Sequence, residues 1–251
     1  MPVIVEIVDD RADQKIFDKI FSYFIYIDET FSTYKDTSEI TKINQNKISE
    51  SEYSEDMKLV LHLSEETKKS TGGYFDVHKP DGVLDPSGMV KGWAIYQASE
   101  ILRAEGYENF YIDIGGDIQV SGKNAEGNPW TVGIRNPFTY KEQTISETQI
   151  DQGIVKVISV GKNEGIATSG IYIRGKHIYN PITKKEADPE IVSITVVGKN
   201  IYEADRFATA AFAMGKNGIL FIESLPGLEG YAIDKEGIAT ETSGFSSYVH
   251  I

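Results

Sequence analysis

Asp205 and Thr209 stand four residues apart in EADRFATAAFAMG, a spacing that puts both on one face of a helix, one turn apart. A carboxylate and a hydroxyl there, among alanines that admit a second backbone, suit a hard, oxygen-liganded cation such as magnesium. The structural alternative is an aspartate favouring the helix dipole and a threonine bonded back to a carbonyl. A second stretch, Gly165 to Lys185, reads as a small-residue turn (Ala167, Thr168, Ser169, Gly170) followed by Arg174, Lys176, His177, Lys184 and Lys185, with no acidic residue. In a chain of formal charge −13, this all-positive segment is what binding an anion requires. Its alternative is a pair of strands with solvated lysines. His177 is one of four histidines and sits among cations beside Asn180 and Pro181, which suits a neutral base or hydrogen-bonding partner.

Two glycine-containing turns complete the set. Asp85-Pro86-Ser87-Gly88-Met89-Val90-Lys91-Gly92-Trp93 opens a helix with free N–H groups, a natural anion site. Lys91 in its first turns opposes the helix dipole, which hints at another use; otherwise this is an aspartate cap and a solvated lysine. Asp113-Ile114-Gly115-Gly116-Asp117 is a hairpin signal with two flanking acids. Neither the Walker spacing nor G-x-G-x-x-G is present, and no G-x-S-x-G elbow marks a serine hydrolase.

The elements that must position these residues follow from periodicity. Val3 to Val8 reads as a strand, and Ile16, Ile20, Phe24, Ile27 and Phe31 define a helix from about Asp13 to Phe31. Ser38 caps a short helix ending near Asn44, and Ser54 caps another to about Ser70, with Leu59, Val60 and Leu63 inward. A turn-rich Tyr74 to Leu84 precedes a helix over Met89 to Ala104. Strands follow at Phe110 to Ile114, Ile118 to Val120, Trp130 to Arg135, Ile154 to Val160 and Ile191 to Val197, then a helix from Tyr202 to Met214, a segment from Ile219 to Leu225 and closing strands from Tyr231. Helices gathered N-terminally and a strand-rich middle point to α+β, in one compact unit spanning 1–251.

The 251 residues contain no cysteine, which excludes disulfides, thiolate metal sites and lipidated cysteine. No run approaches the ~20 apolar residues of a membrane span. The acidic balance argues against nucleic acid and anionic membranes as partners. MPVIVEIVDD carries no signal-like pattern, so the expected location is cytoplasmic.

Six blocks in order, FSTYKDTSEITKIN, GYFDV, LDPSGMVKGWA, YIDIGGDI, IATSGIYIRGKHIYNP and EADRFATAAFAMG, resemble the FAD:protein FMN transferases, the ApbE family, over roughly Asp28 to Gly215. The resemblance implies a mostly antiparallel, T-fold-related α+β architecture that binds FAD with magnesium. It implies transfer of FMN from FAD to a Thr or Ser hydroxyl of an acceptor protein, with AMP released. By motif position, Asp205 and Thr209 look like metal ligands, with carbonyls around Val90 and Ala208 beside them. His177 looks like the residue that assists transfer, and His177 or Asp205 is the candidate to receive the hydroxyl proton. Lys91, Asp117, Thr168, Ser169 and Gly170 match positions lining the FAD site, as do Tyr34 and Asn44 near the flavin or metal. Pro86-Ser87, Arg206 and Asn180 depart from the family pattern, which touches specificity more than the reaction. The competing expectations are a magnesium-dependent FAD pyrophosphatase and a flavin-binding protein without turnover. No acceptor-like D-G-x-[ST]-G-A-[ST] segment is present for self-modification.

Overall fold

A computed structural model describes residues 2–139, 153–161, 163–171, 179–186 and 190–250. The first third is helical because its apolar residues recur at helical spacing behind polar caps. α1 (Gln14–Phe31) starts where the Asp13 carboxylate accepts the Lys15 and Ile16 N–H groups. α2 (Glu39–Asn44) and α3 (Glu55–Ser70) start on the Ser38 and Ser54 hydroxyls, each accepting one backbone N–H. Each cap is worth about 1 kcal/mol. α3 departs from the sequence expectation in one respect. Leu59 is 41% exposed, and the inward stripe is Met57, Val60, Ser64 and Thr67. α4 runs Ser87–Ala104, two residues earlier than expected, because the Asp85 carboxylate accepts the Ser87 N–H and opens the first turn.

A seven-stranded sheet follows, in the order β1 (Val3–Ile7), β2 (Phe110–Ile114), β3 (Asp117–Ser121), β6 (Gly165–Gly170), β9 (Ile191–Gly198), β10 (Leu228–Asp234) and β11 (Ala239–Glu241). Every strand pairing among the described residues is antiparallel. β4 (Trp130–Arg135) pairs with β5 (Ile154–Val160), and the short β7 (Tyr179–Asn180) with β8 (Lys185–Glu186). The fold is thus α+β, as expected. The β2–β3 turn is Gly115-Gly116, with φ of 63° and 95°. Positive φ at both central residues is the demand of a type I′ hairpin, which glycine meets without strain. The turn makes Asp117 the first residue of β3, opposite Ile114.

One face of the sheet carries α1, α4, α5 (Ile201–Ala213) and α6 (Asn217–Glu223) over a core that includes Ile20, Leu102, Ile112, Ile194 and Phe212. The other face packs Ile118, Val120, Ile166 and Val197 against Trp130, Ile158 and Val160 of the β4–β5 pair and against Phe245. A third apolar cluster joins the C-terminal end of α1 to α2, α3 and the start of α4 through Phe31, Ile40, Met57 and Trp93. Among the described residues, no helix is long and apolar enough to cross a membrane.

The small residues from Ala167 to Gly170 are not a turn. They form β6, inside the sheet between β3 and β9. The closest helix contact is at the head of this strand, where a Cβ at Gly165 would overlap the backbone of Ile201, because α5 begins directly on the strand.

Candidate active site

α4 and α5 cross the sheet side by side in opposite directions, and glycine sets their closeness. A Cβ on Gly92 would stand 2.5 Å from Asp205 Cβ and 2.8 Å from the Ile201 carbonyl, and one on Gly88 would stand 3.2 Å from Thr209 Cγ2. Gly88 and Gly92 are therefore the groove that receives Asp205 and Thr209, two i, i+4 pairs facing each other. Gly92 N–H donates to Asp205 Oδ2 at 2.8 Å, and Thr209 Oγ1 donates to the Gly88 carbonyl at 3.3 Å. A threonine bond to the facing helix replaces the bond to its own helix that the structural alternative invoked.

Beneath this crossing lies Asp117, 2% exposed. Lys91 from α4 forms an ion pair with its Oδ2, and the Thr168 N–H donates to its Oδ1 at 3.3 Å. Lys91 therefore serves a buried carboxylate of the sheet, which explains a cation in the first turns of a helix. Asp205 is 5% exposed. Burial and then the neighbouring Asp117 carboxyl hold it well above the usual carboxylate range, while Lys91 and the Gly92 N–H pull the other way. The two carboxyls are held by adjacent residues of α4, Asp117 by Lys91 and Asp205 by Gly92. Two acids against one lysine, in a region closed to water, make a place that favours an added positive charge.

The structure brings together Lys91, Asp117, Asp205, Thr209 and the backbone of Thr168. The Thr168 side chain goes elsewhere: its hydroxyl is 2.8 Å from that of Thr195, and strand alternation puts it on the face opposite Asp117. Ser169 alternates back to the helix-bearing face and is 8% exposed, and Gly170 ends β6 opposite Ser193. Val90 and Ala208 are buried inside α4 and α5, with side chains in two different apolar clusters. Asn44 is committed to the backbone of Leu84, accepting its N–H at 2.8 Å and donating to its carbonyl at 2.9 Å. It thus fixes the loop that leads into α4. Tyr34 is 96% exposed in the α1–α2 connection, apart from the buried group. His177, with Arg174 and Lys176, lies outside the described residues.

Sequence reasoning missed three contributors. Gly92 was quoted inside a motif without a role. Gln119 lies on the same face of β3 as Asp117, a polar i, i+2 pair that alternation alone exposes. Asn180 donates its amide to the Ala213 carbonyl at the end of α5, while its own carbonyl accepts the Ile182 and Thr183 N–H groups at 2.9 Å and 3.1 Å.

An antiparallel sheet under two interlocked helices, with buried acids and a lysine at their crossing, defines an α+β protein. The sequence matches the ApbE family profile over residues 1–80 and 77–232, and the chain belongs to that family. The FAD:protein FMN transferase of Vibrio cholerae serotype O1 is 32% identical over 145 residues, 55% of this chain and 40% of the relative. That of Escherichia coli strain K12 is 30% identical over 177 residues, 67% of this chain and 47% of the relative. The matched stretch thus spans less than half the length of either. Among solved structures, the flavin transferase ApbE from Vibrio cholerae superposes with a TM-score of 0.81 at 24% identity, covering 98% of this chain and 95% of that one. The ApbE protein of Thermotoga maritima gives 0.81 at 19% identity, with 99% and 95% covered. These two share the fold.

Proposed function

We propose that this chain transfers FMN from FAD to a Thr or Ser hydroxyl of an acceptor protein, releasing AMP. The observation that carries the reading is the Lys91–Asp117–Asp205 cluster at the α4–α5 crossing, within a chain of the ApbE family. The relatives named above are FAD:protein FMN transferases, which supplies the substrate.

The donor set fits magnesium. Asp117 Oδ2 is buried and has no hydrogen-bond partner among the described residues beyond its ion pair with Lys91, and Asp205 is pushed up by its neighbour. No group of three or more His, Cys, Asp or Glu is available as a cage among the described residues. That suits an ion that takes one or two carboxylates and completes its shell with phosphate oxygens and water. Asp205 and the Thr209 hydroxyl would hold it, with carbonyls of Val90 and Ala208 nearby. When bound, magnesium would spread the pyrophosphate charge so that a hydroxyl can attack phosphorus.

The chain's own groups do the rest. Lys91 adds positive charge beside the phosphates, and the Gly115-Gly116 turn lets a ligand approach the backbone at Asp117. The acceptor oxygen forms a bond to the FMN-side phosphorus, and the bond to the bridging oxygen breaks, so that AMP leaves. The hydroxyl proton passes to His177 or to the Asp205 carboxyl. Tyr34, Ser169 and Gly170 remain assigned to the flavin nucleotide, and a cytoplasmic location is part of the same reading.

The test is incubation with FAD and magnesium, with and without an acceptor protein bearing a Thr/Ser flavinylation motif. Covalent flavin fluorescence on a denaturing gel, with matching AMP, is expected. AMP and free FMN without labelled acceptor would replace transfer by hydrolysis. Bound, unchanged FAD would leave a flavin-binding protein.

A further inference from the structure

Gln119 is the fully buried polar residue next to this cluster that the proposed reaction does not use; its exposure is 0%. Its Oε1 accepts the Ile201 N–H at 2.8 Å, and Nε2 donates to the carbonyls of Val120 at 3.0 Å and Glu164 at 3.1 Å. Both amide protons and one acceptor position are thereby used, so burial leaves no donor unpaired. Ile201 is the first residue of α5, and its N–H is one of the orphan donors of a helix start. The helix's own cap, Asn200, serves a different donor, the Glu203 N–H. Gln119 therefore ties the first residue of α5 to the sheet.

The spacing gives that tie a consequence. Gln119 and Asp117 are two residues apart on one face of β3, a rise of about 6.6 Å. Ile201 and Asp205 are four residues apart on α5, a rise of about 6 Å on one side of the helix. β3 and α5 thus meet at two matched rungs, Gln119 on Ile201 directly and Asp117 beside Asp205 across the adjacent Lys91 and Gly92 of α4. Gly165 lets the helix sit directly on β6 at the first rung, so closeness is fixed by sterics and slide along the axis by the amide.

We propose that Gln119 is a positioning residue: its amide sets the register of α5 on β3 and so holds the Asp205 carboxyl against Asp117 and Lys91. The inference rests on the reading of these carboxylates as a divalent-cation site, and its test does not depend on turnover. Mn²⁺ stands in for Mg²⁺, and its binding in the presence of ADP is followed by electron paramagnetic resonance well below each variant's Tm. Gln119→Met removes the amide at similar length. Gln119→Leu removes it with a branched apolar side chain, and Ile222→Ala, in the core at α6, is a control for lost stability.

Gln119→Met and Gln119→Leu are each expected to weaken Mn²⁺ binding about tenfold or more, while Ile222→Ala stays within about twofold. Wild-type Mn²⁺ affinity in folded Gln119→Met would overturn the proposal and leave Gln119 a purely structural residue. If Gln119→Met does not fold, Gln119→Leu decides, and wild-type Mn²⁺ affinity there overturns the proposal. Wild-type protein that binds Mn²⁺ but makes no AMP from FAD would end the transferase reading while leaving this comparison intact. Wild-type protein that binds no Mn²⁺ would overturn the positioning role together with the cation site.

Discussion

Asp205 and Arg206 are neighbours on α5 and show two ways of burying charge. Arg206 faces α3, where its side chain is 14% exposed; it donates to Glu203 at 2.7 Å and to Thr67 Oγ1 at 3.0 Å, and its guanidinium lies 4.3 Å from the Phe207 ring centroid and 4.8 Å from that of Tyr202. Opposite charge, a hydrogen-bond acceptor and two aromatic faces compensate the charge, with Nε alone buried and without a hydrogen-bond partner among the described residues. Asp205 faces the sheet, where its nearest charged companion includes another carboxyl, and the surroundings favour its neutral form. A settled charge holds helices together. An unsettled one is the feature on which the proposed cation site rests.

The strongest way to break this contrast is to neutralise each residue in turn. Asp205→Asn is expected to lower FAD cleavage by about a hundredfold or more, the scale of losing an electrostatic catalytic group. The metal-free protein should unfold at the same temperature as wild type or higher, since a disfavoured charge is gone. Calorimetry and AMP release on the same preparation check both halves, and unchanged AMP release would remove Asp205 from the site. Arg206→Met should do the reverse: about 1–3 kcal/mol of stability lost in urea unfolding, because Glu203 is left partly buried and unpaired, with AMP release within about threefold of wild type. Adding Glu203→Gln should recover part of that loss.

pH sharpens the same comparison with a smaller effect. The folded-state pKa of Asp205 is raised, by burial first and by Asp117 second. Its neutral form is therefore favoured by folding, and its contribution to stability is fully present below the ordinary carboxylate value of about 4. That contribution is lost as pH rises through the raised folded value. Metal-free wild type should thus lose about 1–3 kcal/mol relative to Asp205→Asn across this window. Urea unfolding of both proteins from mildly acidic to neutral pH measures the difference, and parallel curves would contradict a raised value.

Much of this region was legible in the sequence, and the limits have physical causes. The D-x-x-x-T spacing, the Gly-Gly hairpin and the caps at Ser38 and Ser54 are local, so periodicity and turn chemistry reach them. Lys91 announced itself by opposing a helix dipole, although its partner Asp117, across the fold, could not be read from α4. Ala167 to Gly170 misled because a run of small residues has the composition of a turn even where it lies inside a sheet. Leu59 misled because one apolar residue beside a stripe looks like part of it. Gln119 and Asn44 carry no motif, and their hydrogen bonds to distant backbone exist only once the chain has folded.

Asn180 offers the smallest test, and it bears on how α5 is held at its other end. Its amide donates to the carbonyl of Ala213, the last residue of α5, where helix carbonyls lack intrahelical partners. Asp in its place would keep the acceptor for the Ile182 and Thr183 N–H groups but bring no donor, and its charge would face the negative end of the helix. Asn180→Asp is therefore expected to cost about 1 kcal/mol in urea unfolding, with a loss that shrinks as the pH falls and the carboxylate is neutralised. Ala213 lies two turns beyond Asp205, with Gln119 fixing the opposite end of α5, so Mn²⁺ affinity should change by less than about twofold. A tenfold loss of Mn²⁺ affinity in Asn180→Asp would mean that the cation site depends on both ends of the helix, and that the register of α5 is not set at Ile201 alone.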